Sequence, residues 1–213
     1  MTTPQDTDAF IASLAARPTP GPLDLPRAAG WIGGAFAVGL GAVLGSLGIR
    51  PDLGAALQDP VTLAKNALPL LLACLALPIA FLTTRPERDG PVWPLIVPVA
   101  LAAGLFVLQA VNTAPTNFLP ELMGQTAGAC LISITAISAL PLVVGIRTLR
   151  QGATTRPIRT GALLGLAIGA LAAAGYALHC DEDAPLFYVT WYGIGILIST
   201  GIGALAGHKY LRW

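Results

Sequence analysis

Charged side chains are scarce in this chain, 11% of its 213 residues, where an ordinary globular domain carries about 25%. Too little polar surface is left to solvate a compact water-soluble body. The net charge is only +1, so no concentrated basic face exists for phosphate, and direct nucleic-acid binding is excluded. The three cysteines, Cys74, Cys130 and Cys180, form no C-x-x-C pair, which excludes a zinc ribbon and a thioredoxin-like motif. No H-E-x-x-H and no paired intramembrane aspartates are present, so an enzymatic role has no residues to carry it.

Apolar residues are abundant, at 54%, and the mean hydropathy is +0.71. Six runs have the length of about 20 residues that crosses the hydrocarbon core. They are Ala28–Ile49, Asn66–Thr84, Val92–Val111, Ala127–Ile146, Thr160–His179 and Phe187–Gly207. The residues before the first run include Asp6, Asp8 and Asp24 in place of a basic signal-peptide start, so that run is expected to remain as an anchor. The predicted fold is all-α: six transmembrane helices over 28–207 in three antiparallel hairpins, with short tails at 1–27 and 208–213.

Positive charge orients the six spans. Arg17, Arg27, Arg85, Arg88, Arg147, Arg150, Arg156, Arg159, Lys209 and Arg212 fall on one side, and only Arg50 and Lys65 on the other. Both termini are therefore expected in the cytoplasm. Trp31, Trp93, Tyr210 and Trp213 fall at the inner boundary as interfacial anchors, and Tyr176, Tyr188, Trp191 and Tyr192 at the outer one. The loop Arg50–Lys65 is expected to hold a short interfacial helix. No Asp, Glu, Lys or Arg occupies the middle of a span, the place where an ion-coupled transporter keeps one. Ser133, Thr135 and Ser138 are expected to bond to their own helix carbonyls. A small transporter or channel is the competing reading, motivated by six spans, little extramembrane mass and the kinking prolines Pro69, Pro78, Pro94, Pro98 and Pro141. Gly161, Gly165 and Gly169 make a smooth stripe for close helix packing, and Gly41/Gly45 and Gly203/Gly207 repeat the spacing.

Two cysteines lie at one depth. Cys130 is near the outer end of the fourth span and Cys180 closes the fifth, while Cys74 lies about 12 Å deeper and reads as a small apolar filler. Thiols at the outer level are candidates for a disulfide. The run His179-Cys180-Asp181-Glu182-Asp183 also combines soft and hard metal ligands. Cys130, His179, Cys180 and Glu182 are thus candidate ligands for a transient soft metal, with no resident cofactor expected. The adjacent acids are expected to raise the Cys180 thiol pKa. In the N-terminal tail, Asp6-Thr7-Asp8 offers an N-cap and Ala9 to Ala16 two helical turns carrying Phe10, Ile11 and Leu14 on one face. Pro18, Pro20, Pro22 and Pro26 then make an extended spacer. Such a segment suits a groove on a cytoplasmic partner, or the lipid surface.

The block from Tyr176 through His179-Cys180-Asp181-Glu182-Asp183 to Trp191-Tyr192, the arginine-rich loop with Gly152 and Pro157, the segment Arg50-Pro51-Asp52-Leu53 and the terminal Leu211-Arg212-Trp213 resemble the NrsF family over nearly the whole chain. The resemblance implies a six-span inner-membrane anti-sigma factor that holds an extracytoplasmic-function sigma factor. It implies signal perception at Cys130 and Cys180 with His179 beside them. Asp8, Phe10, Ile11, Leu14, Arg147 and Arg150 would then form the sigma-binding face. Asp181 stands where many members carry proline and adds a charge beside the thiol. Reporter fusions after Arg88 and Arg150 should read as cytoplasmic, and fusions after Thr116 and Asp183 as outside. A cytoplasmic reading at Asp183 would put Cys180 in a reducing compartment and remove the sensing role.

Overall fold

The computed structural model describes residues 4–16, 23–85 and 90–212. Arg17, Pro18, Pro20, Pro22, Arg88 and Trp213 lie outside the described residues. The helices are α1 (Pro4–Ala15), α2 (Leu25–Leu47), α3 (Leu53–Ala56), α4 (Pro60–Leu82), α5 (Ile96–Asn112), α6 (Pro115–Met123), α7 (Ala127–Leu149), α8 (Pro157–Tyr176) and α9 (Pro185–Tyr210). A one-turn 3₁₀ helix, Trp93–Leu95, leads into α5, and no strand occurs among the described residues. Six segments are long and apolar enough to cross a membrane: α2, α4, α5 with its leading turn, α7 with α6 before it, α8 and α9.

Proline and aspartate set the helix starts. Pro60, Pro115, Pro157 and Pro185 each occupy the first position of a helix, where a missing N–H costs nothing and φ is already helical. The Asp24 side chain caps α2 by accepting from Arg27 N at 3.2 Å, and that of Asp59 caps α4 by accepting from Thr62 N at 2.8 Å. Pro69 and Pro78 lie inside α4 and Pro141 inside α7. The tail helix begins earlier than its sequence suggests: Asp8 lies within α1, not at its cap.

α8 is the central helix. Small residues cover it on every side, so other helices can approach its backbone, and Leu164, Gly165, Ala167, Ile168, Gly169, Ala170, Ala172 and Ala173 are all buried. It packs on α9, α4 and α7, while α2 lies chiefly against α7, and α5 against α9 and α4. Of the three pairs of consecutive spans expected as hairpins, only α8 and α9 pack closely on each other. α2 and α4 are not close neighbours, and neither are α5 and α7. Lipid is as apolar as leucine, so hydropathy cannot pair one helix with the next in sequence, and small residues choose the partners.

The α8–α9 seam is a backbone contact. A Cβ on Gly161 would run into the Gly203 carbonyl, one on Gly165 into the Ser199 carbonyl, and one on Gly207 into the Pro157 carbonyl. On Gly169 it would lie 2.8 Å from Ser199 Cβ. Ser199 Oγ crosses to Ser138 Oγ at 3.1 Å, tying α9 to α7, while Ser138 Oγ donates to its own helix at the Ile134 carbonyl, 2.7 Å. Among the described residues Gly41 and Gly45 belong to no seam, because nothing lies within 4 Å of a Cβ at either, whereas Gly39 of α2 packs closely, its Cβ position 3.0 Å from the Ile137 carbonyl. Gly165→Val should destabilise the bundle by about 1–3 kcal/mol or more, since backbone cannot yield to the new methyls. Thermal unfolding of the purified protein should show a lowered midpoint for that variant and an unchanged one for Gly45→Val.

Candidate functional site

Cys130 lies in the first turn of α7 and Cys180 in the α8–α9 loop, and both are buried in one cluster with Ile134, Tyr176, Phe187 and Tyr192. The two thiols are free and near enough for each to act on the other's acidity. Cys74 fills no gap between helices of the described bundle: it is exposed on α4. Tyr176, Tyr188 and Tyr192 are not interfacial anchors either. They are 1%, 3% and 2% exposed and wall in the cysteine pair, while Trp31, Trp93 and Tyr210 at the opposite end of the bundle are exposed as anchors should be. Trp191 is half-buried, its indole N–H donating to the Leu122 carbonyl at 2.8 Å.

Above the thiols lies a charged clamp that hydropathy hid. Lys65 is in the second turn of α4, not in a loop, and is completely buried. Its Nζ donates to the Cys180 carbonyl at 2.6 Å and to Asp183 Oδ1 at 3.0 Å. Arg50, also buried, meets Asp183 with both terminal nitrogens at 2.8 and 2.9 Å, and NH1 reaches the Cys180 carbonyl at 3.2 Å. It pairs with Asp52 as well, through Nε at 2.8 Å and NH2 at 2.9 Å. The Arg50 amide donates to the Leu178 carbonyl at 3.0 Å. Two residues that marked topology in the sequence therefore hold the Cys180 loop in place.

Other straps close the same end. The His179 Nδ1 donates to the Gly48 carbonyl at 2.9 Å, so that nitrogen carries the proton. Glu182 Oε1 accepts from Gln125 N at 2.7 Å, just ahead of α7. Gly124 ends α6 with φ +53°, and a Cβ there would strike the Phe187 ring and lie 2.9 Å from Glu182 Oε1. Gln109 joins two more segments: its Nε2 donates to Glu121 Oε2 at 2.8 Å and its Oε1 accepts from Leu186 N at 3.1 Å. The four candidate metal ligands do not converge. His179 and Glu182 are turned to backbone partners on other loops, and no group of three or more His, Cys, Asp or Glu could hold a metal ion among the described residues.

The electrostatics of the clamp reverse one expectation. The neighbouring acids do not raise the Cys180 thiol, which is held below its ordinary value. Interaction with the Cys130 thiol is the main cause, and the Lys65 ammonium and Tyr192 hydroxyl add to it against burial. Burial pushes the Asp183 carboxyl up, but hydrogen bonds from Arg50 and Lys65 outweigh it and leave it below the usual carboxylate range. Asp52 is lowered by its hydrogen bond from Arg50, and Arg50 is raised by Asp52 and Asp183.

At the other end, a hydroxyl cluster fastens the arginine loop. Thr160 Oγ1 meets Thr154 Oγ1 at 2.7 Å and Thr83 Oγ1 at 3.0 Å, and Ala153 N donates to the Thr84 carbonyl at 3.0 Å. Arg147 and Arg150 stand exposed on it. A cavity of about 520 Å³ between the start of α2 and the end of α7 is lined by Asp24, Arg27, Trp31, Arg147 and Gln151 among others. In the tail, Asp8 is exposed, and so are Phe10 at 61%, Ile11 at 56% and Leu14 at 45%, an apolar face left uncovered among the described residues. A second cavity, about 300 Å³ between α4, α5 and α9, is lined almost wholly by apolar side chains such as Leu68, Leu72, Ala102 and Ile196.

A profile described as "NrsF: Negative regulator of sigma F" matches residues 14–213. The chain is 33% identical over 221 aligned positions to the "Probable anti-sigma-F factor NrsF" of Azospira oryzae, covering 97% of this chain and 99% of that protein. It is also 33% identical over 218 positions to the "Anti-sigma-F factor NrsF" of Caulobacter vibrioides, with the same coverage of each. No solved structure matches it.

Neutralising Asp183 should expose how much the clamp holds. Asp183→Asn leaves Lys65 and Arg50 short of a counter-charge and should cost about 3 kcal/mol, the low end for breaking a buried ion pair, because Asp183 keeps 31% of its side chain exposed. The Asp183 carboxyl is depressed in the folded state, so its contribution is full above the unfolded value of about 3.9 and is lost as pH falls through the lower folded value. Thermal midpoints should thus fall more steeply below about pH 4 for the wild type than for Asp183→Asn.

Proposed function

The chain belongs to the NrsF family of negative regulators of sigma F, and we propose that it holds an extracytoplasmic-function sigma factor at the cytoplasmic face of the bacterial inner membrane until its outer-end dithiol is oxidised. The observation that supports this reading is the meeting of Cys130 and Cys180, which come from α7 and the α8–α9 loop and are buried in one cluster with their thiols near enough to interact. Oxidation removes one proton from each thiol, passes two electrons to the oxidant and forms one S–S bond. A disulfide fits this site better than a metal, because two sulfurs suffice for it and the nearest further ligands, His179 and Glu182, are already engaged by backbone. The sigma factor would dock on the exposed Phe10, Ile11 and Leu14 face of α1, with Arg147 and Arg150 beside it. An amphipathic helix with an uncovered apolar face suits a groove on a folded partner. Both termini lie in the cytoplasm in this reading, and no catalytic step is involved.

Oxidation must disfavour sigma binding by about 3 kcal/mol to weaken it about a hundredfold. The α8–α9 seam and the α7–α8 contact run from the cysteines to the arginine loop, and packed bundles move between discrete arrangements instead of deforming smoothly. Co-purification of the sigma factor from membranes before and after oxidant treatment tests the whole. Wild type and Cys74→Ser should retain sigma and then release it. Cys130→Ser and Cys180→Ser should retain it throughout, and Phe10→Asp with Leu14→Asp should fail to retain it at all, since each lost apolar anchor removes about 1.5–3 kcal/mol. Normal release from the double cysteine variant would sink the sensing reading, and unchanged capture by the tail variant would sink the docking one.

A further inference from the structure

The buried ammonium of Lys65 lies in a membrane-spanning helix, where a charge is expensive to keep. Nothing in sigma capture requires it. Its contacts point to one place, the Cys180 loop: the Cys180 carbonyl at 2.6 Å and Asp183 at 3.0 Å. The groups facing Cys180 come from every surrounding element. α4 brings Lys65, the loop after α2 brings Arg50, α7 brings Cys130, α8 brings Tyr176 and α9 brings Tyr192, while the loop itself carries His179, Asp181, Glu182 and Asp183. Asp183 is shared between two cations, Asp52 turns to Arg50, Glu182 turns away to Gln125 N, and Asp181 is exposed. Positive charge therefore reaches the Cys180 side of the pair from Lys65 and Arg50 together. Cys130 lies among apolar and aromatic side chains, with Thr126 Oγ1 3.9 Å from its sulfur.

We infer that Lys65 is a positioning residue for the cysteine pair: seated on the Cys180 carbonyl, it makes Cys180, and not Cys130, the sulfur that reacts first with an electrophile. The inference rests on the dithiol reading above and gives it an order of events. Toward a hydroperoxide, the Cys180 thiolate attacks the outer oxygen, the O–O bond breaks, and the departing alkoxide takes up a proton as the alcohol. Cys180 is left as a sulfenic acid. The Cys130 sulfur then attacks it, the S–S bond forms, and the hydroxyl leaves as water with the Cys130 proton. The lowered thiol of Cys180 agrees with this order.

The test is alkylation of the full-length protein in native membrane vesicles by iodoacetamide over a range of pH, with each cysteine followed by peptide mass spectrometry. In the wild type, Cys180 should react with a midpoint below the ordinary thiol value of about 8.5 and ahead of Cys130. Lys65→Met should raise that midpoint by about one unit and slow labelling about tenfold at neutral pH. Asp183→Asn, which leaves both cations in place and removes the carboxylate between them, should lower it. Mere loosening of the site by either variant would speed labelling in both, so slower labelling in Lys65→Met separates charge from packing. A Cys180 midpoint unmoved by Lys65→Met, or Cys130 labelled first in the wild type, overturns the inference while leaving the sensing role to the sigma-release assay. Normal release from Cys180→Ser would remove the sensing role while the labelling order still stood.

Discussion

Arg50 and Lys65 carry two positive charges into a nearly dry site, where they share the Asp183 carboxylate and the Cys180 carbonyl. Burying a charge costs several kcal/mol unless it is paired and fully hydrogen-bonded, so these contacts must form together or not at all. That requirement brings the loop after α2, the second turn of α4 and the α8–α9 loop to one point, although hydropathy alone gives them no reason to meet. Glu182 and Gln125 extend the arrangement to the start of α7, which carries Cys130. The apposition of the two cysteines is thus a consequence of charge pairing by residues around them, not of any affinity between the thiols.

The rest of the bundle is held by closeness instead of charge. α8 runs from the cysteine end to the threonine cluster at the arginine loop, and its glycines let the α9 backbone rest directly upon it. In lipid, where no hydrophobic force favours one helix pair over another, such close contact and the Ser138–Ser199 hydrogen bond supply the specificity. A rod of this kind has little room to bend locally. It is therefore suited to joining events at one end of the bundle to the shape of the other.

Much of this was written in the residue pattern, and its gaps have specific causes. The six spans are legible because length and apolarity decide membrane crossing, and the Gly161/Gly165/Gly169 stripe is legible because Gly203 and Gly207 answer it at matching spacing. The same spacing at Gly41 and Gly45 misleads, since a smooth face is necessary for a seam but needs a partner helix. Tyr176, Tyr188 and Tyr192 sit at the depth where aromatic anchors occur, and depth does not say which side of a helix they occupy. Lys65 reads as a loop residue because a lysine ends an apolar run, whereas the Asp59 cap starts α4 ahead of it. α6 is not legible as a span because its nine residues are too few to cross the hydrocarbon core.

By itself, then, the sequence determined that this chain is an all-helical bundle of six apolar spans, that Cys130 and Cys180 lie at one level, and that the tail can present Phe10, Ile11 and Leu14 on one face. These follow from one-dimensional quantities: run length, charge count and helical period. Which helices touch, which tyrosines are enclosed, and why Cys180 sits among positive charge were decided only by the tertiary structure. Those features depend on the direction in which each side chain leaves its helix and on pairings such as Lys65 with the Cys180 carbonyl across 115 residues. Only the packed bundle fixes those directions and distances.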